Sequence, residues 1–502
     1  MMCGKARRRT GGALVATLAV LLTLATLGAC GVQSTNPVTG EEVRGAYSWD
    51  QELALGRAAD PEIRATFGVY DDPQLERYIT RLGERVLAAS SHTDAATPAA
   101  IRDTPFHFAV LDSPVPNAMA LPGGYIYVTR GLLAHLRSEA QLSVVLGHEI
   151  GHVLARHASR QALKAQTGQL GVIGAAILGG VLGGDRMAQG ILDYGGTGAQ
   201  LLFLKYGRDA EREADLAGVE WAEAAGYDAA PAADFFAALQ RLGEREGSIP
   251  SFLSTHPDPA ERRRTIPELA ARHDGGTALN EAAYLERIEG LVLGDDPRQG
   301  FVQAGAFLHP ELRFRFAIPA GWNTVNGTRA VRLSHPQGTA MATLTFAREQ
   351  AAPRAAAQAW IAGSRLGVHS EQAVRVPAGA GHAVLASGQS GQGELAVLAY
   401  FIAYGERIYR FSAATSPQAY AQLAPGFERM LQSFAPLTER RHLTRQPARL
   451  EVMRLRRAAH LDTLLEDRPI PAGMDAEQIA ILNNVRRHET LPAGTLLKLP
   501  RR

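Results

Sequence analysis

The chain has 502 residues, 46% hydrophobic and 20% charged, which is globular composition with room for two to four domains. Its 52 basic and 50 acidic groups leave a net charge of +2, which excludes nucleic-acid binding through bulk charge and an acidic disordered tail. Cys3 and Cys30 are the only cysteines, so nothing beyond residue 30 can form a disulfide, a thiolate metal site or a cysteine nucleophile.

In chain order, Lys5, Arg7, Arg8 and Arg9 precede an uncharged apolar run from Ala13 to Leu27. Spanning a bilayer takes about 20 helical residues, so this shorter run fits a secretory leader better than an anchor helix. The ending Leu27-Gly28-Ala29-Cys30 resembles the bacterial lipobox, which implies lipidation of Cys30. Gly31 follows where an Asp commonly signals inner-membrane retention. In a diderm bacterium the resemblance therefore implies the periplasmic face of the outer membrane. Residues 31–46, rich in Gly, Thr, Asn and Pro, are expected to be a tether.

From Trp49 to Ala89 apolar residues recur at helical spacing (Leu53, Ile63, Leu75, Ile79, Leu82, Val86). Phe106–Leu111 and Tyr125–Thr129 alternate as strands do, and Asn117 to Leu121 is strand-like until Pro122-Gly123-Gly124 breaks it. A helix is expected from Glu139 to about Lys164, opened by a capping box of Ser138 and Gln141. Residues 168–184 are apolar, glycine-rich and uncharged, too short and too rich in glycine for a span. Another helix is expected from Lys205 to Ala225, closed by Gly226. Residues 300–436 combine alternating segments with two helical patterns, an α+β signature without a second His/Asp/Glu cluster. Residues 446–502 read as a small unit of their own.

The chemistry concentrates at His148-Glu149-Ile150-Gly151-His152. Residues four apart on a helix share a face, about 5–6 Å apart at Cβ, so two imidazoles there can bind one zinc at about 2.0–2.1 Å. Glu149, beside the first imidazole, can serve as general base. Val144, Val145, Leu146, Ile150, Val153 and Leu154 flank the motif and predict a buried helix, where two histidines and a carboxylate need partners. A catalytic zinc takes three protein ligands. Ala155 and Ala158 stand where the metzincin pattern needs Gly and His, and His157 is expected on a different face. The remaining option is a carboxylate from the Arg208–Asp215 run, otherwise an ordinary charged helix with intrahelical pairs. There Glu211 and Asp215 share a face: Glu211 is the candidate third ligand, and Asp215 the acceptor for a ligand histidine's outer N–H. Glu213 is expected to be solvated.

Together, His148–His152, Arg208–Gly218 and Ser254-Thr255-His256-Pro257 with Arg262 resemble the gluzincin metallopeptidases of the CAAX prenyl protease, HtpX and BepA group, over roughly residues 47–272. The resemblance implies a mainly helical domain with a small sheet and one zinc on His148, His152 and Glu211, with Glu149 as base. It implies an extended substrate added as a strand beside Asn117, Ala118, Met119, Ala120 and Leu121. It further implies His256 near the metal, stabilising the oxyanion or blocking the open position as a self-inhibiting switch, and Arg262 among the substrate-binding residues, placed to meet a carboxylate. Gly207 departs from the Ser common in the family. Phe314–Trp322 is similar to the opening of small PsbP/Mog1-type α+β domains. Residues 450–499 resemble a LysM module of βααβ form, with His460-Leu461-Asp462-Thr463 in place of the usual Gly-Asp-Thr. The function implied is a lipid-anchored zinc endopeptidase for unfolded or misassembled envelope proteins, with the outer-membrane assembly machinery and peptidoglycan as candidate partners. A chaperone-like scaffold with a silenced protease and a cell-wall hydrolase are the alternatives.

Overall fold

The computed structural model describes residues 31–166, 206–246, 251–256, 258–347, 352–364, 366–390, 393–468, 470–471 and 474–501. The leader, Cys30, the apolar stretch 168–184, Lys205 and Pro257 lie outside them. Helix and sheet are mixed throughout, and among the described residues no helix is long and apolar enough to cross a membrane.

Residues 31–46 are not a loose tether. Strands β1 (Val32–Thr35) and β2 (Glu42–Gly45) pair antiparallel, and Asn36 in the turn between them is buried. Two helices follow, Trp49–Phe67 and Pro73–Ala88, separated where Gly68 takes φ 74°. Next come β3 (His107–Leu111), β4 (Ala118–Leu121) and β5 (Tyr125–Thr129). They form a sheet of order β3-β5-β4, with β3 parallel and β4 antiparallel to β5. The Pro-Gly-Gly break is the β4–β5 turn, with Gly123 at φ 80° and Gly124 at φ 90°.

The helix Glu139–Leu154 runs through the main core, and every residue from Ala140 to Leu154 is buried. Ser138 caps it by accepting from Gln141 N at 3.2 Å, but the Gln141 side chain accepts from Arg137 N at 2.7 Å, so the expected capping box is incomplete. The helix also stops ten residues early. Arg156 takes a left-handed φ of 57°, and a separate helix, His157–Gln166, leaves in a new direction.

The helix Arg208–Ala224 packs backbone to backbone against Glu139–Leu154. A Cβ added to Gly218 would stand 2.7 Å from Val144 O and 2.9 Å from His148 N; one added to Gly147 would meet Gly218 Cα at 2.9 Å. Side-chain-free surfaces on both partners allow this approach. It brings carboxylates of the second helix within reach of imidazoles on the first. Helices Ala232–Glu246, Ser251–Thr255 and Pro259–Ala270 complete the surroundings.

Downstream, a seven-stranded antiparallel sheet runs from Gly367–Val376 at one edge, through Gly379–Ser390, Gly393–Tyr404, Arg407–Thr415, Ala340–Phe346 and Ala330–Ser334, to Asn323–Asn326. Helix Pro417–Gln432 covers one face and Pro353–Gly363 the other. In the C-terminal unit Arg449–Arg454 pairs antiparallel with Leu496–Arg501, and helices Leu461–Leu465 and Ala476–Leu482 lie between them in sequence. This unit is fused to the first domain. Leu450 and Leu482 belong to the main core, and buried Lys498 donates from Nζ to Ala134 O (2.6 Å) and Leu136 O (2.7 Å).

Candidate metal centre

His148, His152, Glu211 and His256 are all buried, and one ligand atom from each lies within 4.8 Å of all the others. His148 Nε2 is 2.9 Å from His152 Nε2 and 3.7 Å from Glu211 Oε2, and His152 Nε2 is 3.5 Å from Glu211 Oε1. Donors at about 2.0–2.1 Å from a tetrahedral ion stand roughly 3.3 Å apart, so these spacings suit a small divalent cation with N and O ligands such as zinc.

The outer nitrogens decide the chemistry. His148 Nδ1 faces both Asp215 Oδ1 at 2.9 Å and Arg262 Nη2 at 3.0 Å; Arg262 Nη2 donates to that same carboxylate, which also accepts from the imidazole, so the proton sits on Nδ1. His152 Nδ1 faces His157 Nδ1 at 2.8 Å, and His157 Nε2 faces Glu213 Oε2 at 3.2 Å. With the Glu213 carboxylate accepting from His157 Nε2–H, His157 Nδ1 is an acceptor and His152 Nδ1 carries its proton. Both Nε2 atoms therefore direct lone pairs into one small space, beside the Glu211 oxygens. A shared cation makes that arrangement favourable.

Burial favours neutral forms, and the site follows. His148 and His152 are held well below their usual pKa by desolvation, with neighbouring cationic groups adding to it. Burial would raise Glu211, but His256, His148 and Arg262 outweigh it and hold the carboxyl low. His256 shows the converse: burial lowers it, yet Glu211 and Glu149 carry it above its ordinary value. Glu149 is pushed up to about 7, chiefly by burial, and its Oε1 has no hydrogen-bond partner among the described residues. An orphaned, buried carboxylate oxygen beside a cation site is poised to accept a proton.

His256 is placed by the short helix Ser251–Thr255 and by the Phe252 ring stacked on it at 4.7 Å. Its Nδ1 lies 3.1 Å from His148 Nε2 and 3.2 Å from Glu211 Oε1, and its Nε2 3.6 Å from Glu149 Oε1. It thus stands at the fourth corner of the donor set.

Arg262, expected beside substrate, is instead 3% exposed. Its Nε donates to Asp215 Oδ2 at 2.9 Å, and its guanidinium covers the Phe236 ring at 4.1 Å. The carboxylate it meets is the protein's own, so Arg262 fixes Asp215. Strand β4 occupies an edge of its sheet; Asn117, Ala118, Met119 and Leu121 are buried and Ala120 half-buried. Gly207 caps the second helix without a side-chain bond.

Three residues that pattern reading set aside or passed over join the site. His157 turns inward because the left-handed Arg156 breaks the helical projection that put it on another face. Glu213, expected in solvent, is largely buried between His157 and Arg160, whose Nη1 is 3.0 Å away. Burial would raise it, but bonds from His157, Asn36 and Arg160 hold it down at about 2. The Tyr206 ring stacks on His152 at 4.1 Å; its place two residues before Arg208 was the only signal the sequence offered.

Residues 74–270 match the model of Peptidase family M48. The chain is 31% identical over 243 residues to the beta-barrel assembly-enhancing protease of Yersinia pestis, covering 47% of each chain. It is 29% identical over 255 residues to the protein of that name from Escherichia coli K12, covering 50% of each. To the mitochondrial metalloendopeptidase OMA1 of Schizosaccharomyces pombe it is 28% identical over 236 residues, covering 46% of this chain and 65% of the relative. The chain spans about half the length of the first two relatives. Among solved structures, cyanobacterial PsbP from Synechocystis covers 27% of this chain and 96% of its own at 11% identity and a TM-score of 0.24, too slight a likeness to carry an argument.

Proposed function

We propose that this chain, whose residues 74–270 form a Peptidase M48 domain, is a zinc metalloendopeptidase acting on unfolded or misassembled envelope proteins. The observation that carries the reading is the convergence of two imidazole lone pairs and the Glu211 carboxylate beside Glu149 Oε1, which has no hydrogen bond among the described residues. Zinc, when bound by His148, His152 and Glu211, supplies the Lewis acidity that polarises a scissile carbonyl and acidifies water. Glu149 takes the proton of the attacking water and passes it to the leaving amine. Asp215, held by Arg262, keeps the His148 proton on Nδ1 and its lone pair inward. Strand β4 lies at an edge of its sheet, where an extended peptide can add as a further strand through main-chain hydrogen bonds, which suits substrates chosen for being unfolded rather than for sequence.

Relatives named for enhancing beta-barrel assembly support a place in outer-membrane protein quality control. The leader residues support attachment through Cys30 at the periplasmic face of the outer membrane. Fusion of the C-terminal unit to the main core favours a structural cap over a free glycan-binding module.

One observation favours a second, compatible reading. His256 at the fourth corner of the donor set closes the position that substrate needs, so the resting protein is a gated protease that can hold unfolded chains without cutting them. Zinc-loaded protein is expected to cleave casein, and Glu149→Gln to retain zinc and lose about 100-fold or more of the rate. Undiminished cleavage by Glu149→Gln refutes the base. Faster cleavage by His256→Ala supports the gate, and slower cleavage makes His256 an aid to catalysis instead.

A further inference from the structure

We infer that the N-terminal hairpin is a positioning element of the metal centre, acting on His152 through a chain of Asn36, Glu213 and His157. The inference rests on the zinc reading above. It concerns a segment outside the span that matches the family model, since β1 and β2 precede residue 74.

The chain has one direction. Ligation through His152 Nε2 requires a proton on Nδ1, which His157 Nδ1 then accepts across 2.8 Å. His157 must therefore be protonated at Nε2, and that atom meets Glu213 Oε2 at 3.2 Å. The other Glu213 oxygen accepts from Asn36 Nδ2. The Asn36 amide cannot turn over, because its Oδ1 accepts from Val38 N at 2.9 Å. Its backbone is fixed as well: Asn36 N donates to Glu41 O and Gly40 N to Asn36 O, both at 2.8 Å.

The hairpin is itself clamped to the helix that carries His157. Ala46 N donates to Ser159 O at 3.0 Å, and Tyr47 N to Ser159 Oγ at 3.0 Å. Arg156 ties Glu52 Oε1 (2.8 Å) to Ser34 Oγ (2.7 Å) and also reaches Tyr47 O. His148 gets its tautomer from Asp215 and Arg262, within the M48 span. His152 gets its tautomer from a carboxylate whose other oxygen is held by the hairpin. The hairpin thus supports one of the two ligand imidazoles selectively.

Zinc affinity of the full chain, measured by chelator competition, and the visible spectrum of the cobalt-substituted protein test this. Glu213→Leu and His157→Phe are expected to weaken zinc binding about tenfold or more, and Asn36→Leu less but in the same direction, each with a shifted cobalt spectrum. Glu213→Gln, which keeps an acceptor, should recover part of the loss. Thr35→Ala removes an exposed hairpin contact to Glu42 and should change neither quantity. Affinities within about twofold of the parent for folded Asn36→Leu and Glu213→Leu, with unmoved spectra, overturn the inference. Long-range nitrogen–proton NMR of the zinc-loaded parent needs no variant: protons on His152 Nδ1 and His157 Nε2 support the chain, and a proton on His157 Nδ1 overturns it. These readouts use no substrate. A protein that passes them and leaves casein intact fails the peptidase reading alone; one that cleaves casein and fails them loses only this inference.

Discussion

Substituting Gly218 with alanine tests whether helix proximity builds the metal centre. Its new Cβ would stand 2.7 Å from Val144 O and 2.9 Å from His148 N. Relaxed non-bonded atoms sit roughly 3.5 Å apart, so the helices must separate by about 0.6–0.8 Å. Both atoms are backbone, so no side-chain rotation relieves the clash. Overpacking of this kind costs about 1–3 kcal/mol, while the gain in helix propensity returns only about 1 kcal/mol. The metal suffers more than the fold, because coordination distances tolerate about 0.2 Å and Glu211 rides on the displaced helix. Chelator competition should show zinc binding weakened about tenfold or more, equivalent to about 1.4 kcal/mol. Gly426→Ala is the control: it lies in helix Pro417–Gln432 with nothing within 4 Å of its added Cβ, and should stabilise by about 1 kcal/mol. A Gly218→Ala protein with a raised Tm and unchanged zinc affinity would refute the close-packed geometry.

Three further expectations follow from the same contacts. Glu149 accepts a proton only when ionised, and burial raises it from 4.5 to about 7, so cleavage should fall with acidification; the bound cation pulls the carboxyl down and sets the acid limb between those values, and a pH-independent rate across that interval contradicts the assignment. Stripping zinc with a chelator should lower Tm, since ligand at about 100-fold over Kd adds about 2.7 kcal/mol, and an unchanged melting curve argues against a resident ion. Lys498→Met leaves the carbonyls of Ala134 and Leu136 without their buried donor, so denaturant unfolding should show a loss of about 1–3 kcal/mol; unchanged stability would mean that the C-terminal unit is not fastened there.

What the sequence revealed depended on how local the cause was. His148, His152, Glu211 and Asp215 follow from helical spacing within two short runs, so periodicity placed them on the right faces. His157 was misplaced because that projection assumes an unbroken helix, and nothing in Ala155-Arg156-His157 announces the φ of 57° at Arg156. Glu213 and Asn36 meet across 177 positions, a contact no local pattern records. The hairpin Gly367–Val376 with Gly379–Ser390 was missed for another reason. Nearly every residue of its first strand is exposed, and its second is mostly Ala, Gly and Ser on both faces, so neither strand shows apolar alternation. Arg262 was expected on the substrate side, and its pairing with Asp215 across 47 positions is a contact that only the fold supplies.

The most direct test is the anomalous scattering of zinc-loaded crystals recorded at the zinc absorption edge. A single peak about 2.0–2.2 Å from His148 Nε2, His152 Nε2 and a Glu211 oxygen is the predicted result. A peak bound elsewhere, or one that leaves Glu211 out of coordination, would contradict the account.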